Sequence, residues 1–180
     1  MKHLSVSIFA LLFVLFVFGT ADAQIGRRFP SEKKLVKDPV TGTMLTFLTS
    51  TPAGDSKIYQ THNQWTSDGQ WIIFRSNRVR GEAMAVNERT GDMVQVTEGG
   101  YTGMLNVARR SMNLYFLRYP PGFDERGATP QQPHPMQVIE VDLGKLFADS
   151  AAGTLKSADA YQRVCGTTPP ALGCHPEGPI

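Results

Sequence analysis

The chain has 180 residues, with 18 Lys and Arg against 16 Asp and Glu for a net charge of +2. So even a balance gives no electrostatic case for a nucleic-acid partner or an anionic lipid surface. With 41 % apolar residues it is long enough for one ordinary domain with a buried core.

Residues 1–23 read as a signal peptide. Lys2 and His3 form a short basic start, Leu4–Phe18 is a nearly unbroken apolar run, and Ala21-Asp22-Ala23 puts small residues at minus three and minus one of a cleavage site. The run is shorter than the roughly 20 residues a membrane span needs; an uncleaved anchor is the competing reading. No cysteine follows the run, which argues against a lipoprotein signal. The expectation is export, to the periplasm or beyond, with Gln24 as the mature start and no membrane association after cleavage.

Residues 24–37 form an N-terminal lead-in whose Arg27, Arg28, Lys33, Lys34 and Lys37 suit a solvated strand. Residues 38–142 then run as short strands punctuated by turns. Thr41-Gly42 leads into a strand at Met44–Thr49. The Ser67-Asp68-Gly69 turn leads into Trp71-Ile72-Ile73-Phe74, taken as the innermost strand of its unit. The polar loop Ser76-Asn77-Arg78 follows, then Met84–Asn87, the Thr90-Gly91 hairpin turn and Met93–Thr97. Asn113-Leu114-Tyr115-Phe116 repeats the Phe-ended strand, and after an insert at Pro120–Pro135 comes Met136–Asp142. No segment before residue 143 keeps the three-and-four spacing of an amphipathic helix. A short helix is expected around Leu143–Asp149, leading into a loop at Ala151–Ala160. Residues 143–180 as a whole read as irregular and rich in Pro and Gly, with no closing strand.

Strand, loop, strand, Gly turn, strand, recurring with a period of roughly 40–50 residues, is the pattern of β-propeller blades. The predicted fold is all-β, a propeller arc of about two to three blades packed through Trp71, Phe74, Leu114 and Phe116. A closed propeller takes at least four blades, or about 160 residues at roughly 40 per blade, and residues 38–142 are fewer. The chain is therefore expected to be part of a larger propeller, needing further blades or a partner chain to close it.

Residues Asp38–Phe116 resemble the N-terminal blades of exported TolB-like propellers, specifically those of oligogalacturonate lyases. The matching pieces are Asp38-Pro39-Val40-Thr41-Gly42, Phe47-Leu48-Thr49, Lys57-Ile58-Tyr59, then His62 with Trp65-Thr66-Ser67-Asp68-Gly69. Ile72-Ile73-Phe74, Arg78 and Thr90-Gly91 through Gln95-Val96-Thr97-Glu98-Gly99 complete the match. The resemblance implies a seven-bladed propeller that cleaves oligogalacturonides by β-elimination in pectin breakdown. It further implies a histidine base and a divalent cation, typically manganese, that offsets the charge developing next to the uronate carboxylate. In the family those groups lie in later blades, so no catalytic base and no metal ligand is assigned to this chain. As a piece of such a lyase it is expected to be inactive alone. The alternative is a noncatalytic TolB-like propeller that binds a protein or a glycan in the periplasm.

His62, Asn63, Gln64 and Arg75 are the candidate substrate-binding residues. His62 precedes the strand taken as innermost, where a ring nitrogen could reach an acidic oligosaccharide; the competing role is a hydrogen-bonded turn histidine. Asn63 and Gln64 add amide contacts or are ordinary loop residues. Arg75 offers a guanidinium fork to a carboxylate, whereas Arg78 suits holding its loop in place. Trp65 and Trp71 are expected as apolar wedges between blades rather than as sugar platforms. His134, in the insert, is expected to be exposed. Cys165 and Cys174 are a candidate disulfide in an exported protein, or free thiols in a loose tail. With His175 they are too few for a structural zinc site.

Overall fold

The computed structural model describes residues 24–123 and 135–168. The signal-peptide reading, His134, Cys174 and His175 lie outside the described residues. Eleven strands run in chain order: β1 (Arg28–Phe29), β2 (Lys34–Lys37), β3 (Met44–Phe47), β4 (Ser56–Lys57), β5 (Trp71–Arg75), β6 (Ala83–Asn87), β7 (Met93–Gln95), β8 (Thr102–Val107), β9 (Asn113–Arg118), β10 (Gln137–Asp142) and β11 (Gln162–Thr167). One helix, α1 (Leu143–Ala152), lies between β10 and β11. The fold is all-β and antiparallel. β4 to β7 form a meander extended by β1 at its outer edge, β8 to β11 form a second meander, and β2 pairs only with β3.

Alternation along the strands sets the two faces of the first sheet. Ile73, Ala85 and Val94 share one register row, and Ile72, Val86 and Met93 share the next. The first row, with Ile58, Ala83 and Val96, joins Leu105, Val107, Leu114, Phe116, Ile139 and Val141 of the second sheet in one buried cluster. Ala83 and Ala85 are small where Phe116 and Leu114 are large, the complementarity that lets two twisted sheets close without voids. Phe74, Met84, Val86 and Met93 line the opposite face, with Phe29, Leu48 and Ile72 against them. Leu114 and Phe116 thus pack between the sheets as expected, with Trp71 against their cluster, while Phe74 points the other way because it neighbours Ile73 in a strand.

Helix α1 is built to lie on this core. Leu143, Leu146, Phe147 and Ser150 are its buried residues, spaced three and four apart along one stripe. Asp142 caps its start by accepting from the Lys145 N–H, and Gly153 ends it in the left-handed region. Trp71 stacks on Phe147 at 4.1 Å, and Ser150 Oγ donates to the Gly26 carbonyl at 2.6 Å. Trp71 is therefore a wedge, as expected; Trp65 is 40 % exposed and is not. Among the described residues no helix is long and apolar enough to cross a membrane.

Two expectations are corrected. Trp71–Phe74 is not a terminal strand of its sheet: β4 lies at the edge beyond it, pairs with Phe74 and Arg75 and resumes at Trp65, bridged to Ile72. Its pairing is broken by residues 58–64, which is why it carries no alternating pattern. The region after residue 142 is not irregular throughout. β11 pairs along the whole of β10 and closes the second sheet, a strand hidden in the sequence because residues 163–167 are all exposed and carry no apolar alternation.

Phe116 sits at 1 % exposure in the cluster joining the sheets. Phe116→Ala is expected to lower the unfolding free energy by about 3–5 kcal/mol in a urea titration. Gln60→Ala, on an exposed turn, should stay within about 0.5 kcal/mol of the parent. A loss of under about 1 kcal/mol at Phe116 would contradict a core between the sheets.

Candidate functional site

The end of the sheets where β5 finishes at Arg75, β8 begins at Thr102 and β9 finishes at Arg118 gathers most of the polar chemistry. Arg75 lies in register with Ala83 on the face turned toward the second sheet, and its Nη2 donates to the Gly103 carbonyl at 3.4 Å. Its Nε is buried without a hydrogen-bond partner among the described residues. Beside it, Tyr101 is half-buried; burial pushes its phenol pKa up, Arg75 pulls it down and Glu82 adds to the rise. Among the described residues neither Arg75 nor Arg118 is ion-paired with a carboxylate.

His62, Asn63 and Gln64 belong to the excursion at residues 58–64, which stands opposite Ile73 alone. The excursion is held by His62 N–H donating to the Tyr59 carbonyl and Ile73 N–H donating to the Gln64 carbonyl, both at 2.9 Å. His62 Nδ1 lies 3.3 Å from the Leu105 carbonyl oxygen. A carbonyl only accepts, so this contact requires the proton on Nδ1 and leaves Nε2 of the neutral ring as an acceptor. Asn63 Nδ2 donates to the Trp65 carbonyl at 2.5 Å and to the Val107 carbonyl at 3.5 Å. His62 and Asn63 thus tie the β4 edge of the first sheet to β8. Gln64 lies apart from them, lining a cavity of about 250 Å³ on the opposite face with Leu48, Ile72 and Phe74. The four candidate residues therefore do not converge on one point.

Arg78 is a structural clamp, as its position suggested. Its Nη2 donates to Glu32 Oε2 at 2.7 Å, and its Nη1 donates to Ser76 Oγ at 2.9 Å and to Asp55 Oδ1. The Arg78 side chain is 7 % exposed. Glu32 also accepts from the Ser50 and Thr51 N–H groups and the Thr51 hydroxyl. Burial disfavours the Glu32 carboxylate, but these bonds and Arg78 outweigh it and lower its pKa from 4.5 to about 2. Sequence reading found Arg78 but not Glu32 or Asp55, which lie far from it in the chain.

A cleft of about 380 Å³ was missed altogether. It opens between residues 99–102 and 118–123 and is lined by Tyr101, Arg118, Tyr119 and Phe123. Arg118 ends the Phe-ended strand and Tyr101 follows Gly99-Gly100, signals visible only once β8 is known to pair with β9. Behind the cleft, burial pushes the Glu82 carboxyl upward against hydrogen bonds from Thr97, Gly100 and Gly99. Cys165 is exposed on β11, and its pairing with Cys174 falls outside the described residues. Among the described residues no three His, Cys, Asp or Glu side chains converge closely enough to hold a metal ion.

No family model matches the sequence, and no curated protein matches it. Solved structures do. An oligogalacturonate lyase in complex with manganese matches over 69 % of this chain and 30 % of that one, with a TM-score of 0.51 and 18 % identity. The oligogalacturonate lyase of Vibrio parahaemolyticus matches over 81 % of this chain and 49 % of its own, with a TM-score of 0.40 and 13 % identity. The chain thus spans less than a third of the first and about half of the second. At this identity the first likeness establishes a shared fold.

The Glu32 clamp has a defined pH signature. Its folded pKa, about 2, lies below the ordinary 4.5, so its contribution is full above pH 4.5 and is lost as pH falls toward 2. Glu82, raised rather than lowered, acts in the opposite sense. The thermal midpoint of the parent is expected to fall through that window, and Glu32→Gln should flatten the fall while lowering the midpoint at pH 7. An unchanged acid limb in Glu32→Gln would contradict the clamp.

Proposed function

We propose that this chain is the N-terminal part of an exported, oligogalacturonate-lyase-like β-propeller, and that its role there is to bind acidic oligosaccharide. The observation that carries the reading is the pair of consecutive four-stranded meanders, packed face to face, with Arg75 and Arg118 at one shared end and, among the described residues, not ion-paired with a carboxylate. Consecutive antiparallel sheets of this kind are what blades are. Loops at one end of such blades are where ligands of propellers meet, and guanidinium groups are the natural partners of uronate carboxylates.

The likeness to a manganese-bound oligogalacturonate lyase supports the choice of family. The residues described here do not fit a resident cation, since no cluster of metal-ligating side chains is present among them. In this reading the chain contributes recognition of the acidic sugar, and the base and metal that the resemblance implies belong to other blades of the propeller. The β2–β3 hairpin supports incompleteness on its own side. Leu35, Val36, Met44, Leu45 and Phe47 are exposed there, at 41–65 %, an apolar two-stranded unit of the kind that further strands or a partner chain cover. Export follows from the reading of residues 1–23.

Calorimetric titration of the full chain with trigalacturonate, its methyl ester and maltotriose tests this. The expected result is salt-sensitive binding of the acid, weak or no binding of the other two, and no growth of the unsaturated-uronate absorbance with manganese present. Equal affinity for maltotriose would contradict acidic-sugar recognition. Sustained turnover would contradict a recognition role.

A further inference from the structure

The geometry points to the cleft between residues 99–102 and 118–123 as the subsite that holds one uronate unit, with its carboxylate on Arg118 and its ring against Tyr101, Tyr119 and Phe123. This deepens the reading above and rests on it. The Arg118 guanidinium is held in place at the wall that this cleft shares with a second one lined by Glu98, Asp159 and Gln162. Nε donates to Gln137 Oε1 at 3.2 Å and Nη1 to the Glu98 carbonyl at 3.3 Å. Both acceptors are neutral, so the group is oriented but its charge has no carboxylate partner among the described residues. A cation fixed in this way at a cavity wall pays little ordering cost when an anion arrives, and the guanidinium fork suits a carboxylate in particular.

The backbone is shaped for the same arrangement. A Cβ on Gly99 would stand 3.1 Å from Arg118 Nη1, so glycine there gives the guanidinium its place; Gly100, at φ +77°, takes the left-handed backbone that the loop needs. Gly100 N–H donates to Glu82 Oε1 at 2.8 Å, which fixes the loop from behind. On the other wall the Tyr119 and Phe123 rings stack at 5.0 Å and 29°, and the Phe123 N–H donates to the Pro120 carbonyl across a Pro-Pro-Gly turn. These rings offer apolar surface to the C–H face of a sugar, and the half-buried Tyr101 offers its phenol as a donor to a hydroxyl. At about 380 Å³ the cleft is within the range of small-molecule sites.

The test is trigalacturonate titration of the full chain carrying Arg118→Ala, Arg118→Lys or Tyr119→Ala, each checked by thermal midpoint. Arg118→Ala is expected to weaken binding at least about tenfold, Tyr119→Ala about threefold to tenfold, and Arg118→Lys by an intermediate amount, because an ammonium keeps the charge without the fork. Should Arg118→Ala not fold, Arg118→Lys and Tyr119→Ala decide. Parent-like affinity in the folded variants overturns the subsite and leaves acidic-sugar recognition standing elsewhere on the chain. No binding by the parent chain overturns both.

Discussion

The packing of one sheet face on another is the constraint from which the rest of the molecule follows. Ile73, Ala85 and Val94 on one side and Leu105, Phe116 and Ile139 on the other leave no alternative register, since a slip of one residue would turn Phe74 and Met84 inward and expose the small row. Once that interface is set, the start of β8 stands beside the end of β5. Arg75 then reaches Gly103, and His62 and Asn63 reach the carbonyls of Leu105 and Val107. The polar contacts between the sheets are consequences of the apolar ones. They supply partners to carbonyls of β8, the edge strand of the second sheet.

A second, smaller constraint is electrostatic. Arg78 draws Glu32 and Asp55 onto one loop and thereby joins the segment ahead of β2 and the segment ahead of β4 to the connection between β5 and β6. Such a buried group matters mostly for what happens when it is broken, because either partner left alone is an unpaired charge out of water. It holds the path of the chain on either side of the exposed hairpin, whose own two strands supply little stability.

Most strands legible in the sequence have a buried face and a marked turn: Trp71, Met84, Met93, Asn113 and Val138 all fall in observed strands, and the Thr41-Gly42 turn alone placed β3, whose residues are all exposed. The helix at Leu143 was legible from its buried face. The edge strands β4 and β8 were not, because β4 is two residues long before its excursion and β8 is interrupted by a register shift between Thr102 and Leu105. Missing them hid the contacts of His62 and Asn63 with β8 and the Tyr101–Arg118 cleft, which lies where β8 meets β9. Arg75 and Arg78 stand three residues apart and are alike in chemistry; the partners that separate them, Gly103 for one and Glu32 with Asp55 for the other, are all distant in the chain.

If one apolar interface governs both sheets, they must open together. Native-state hydrogen exchange at graded denaturant measures this directly, through the amides of Val86 in β6 and Phe116 in β9. The account predicts the same opening free energy at both positions, equal to that of global unfolding. Exchange at Phe116 through a cheaper opening, with Val86 still protected, would contradict it and make the two sheets separate units.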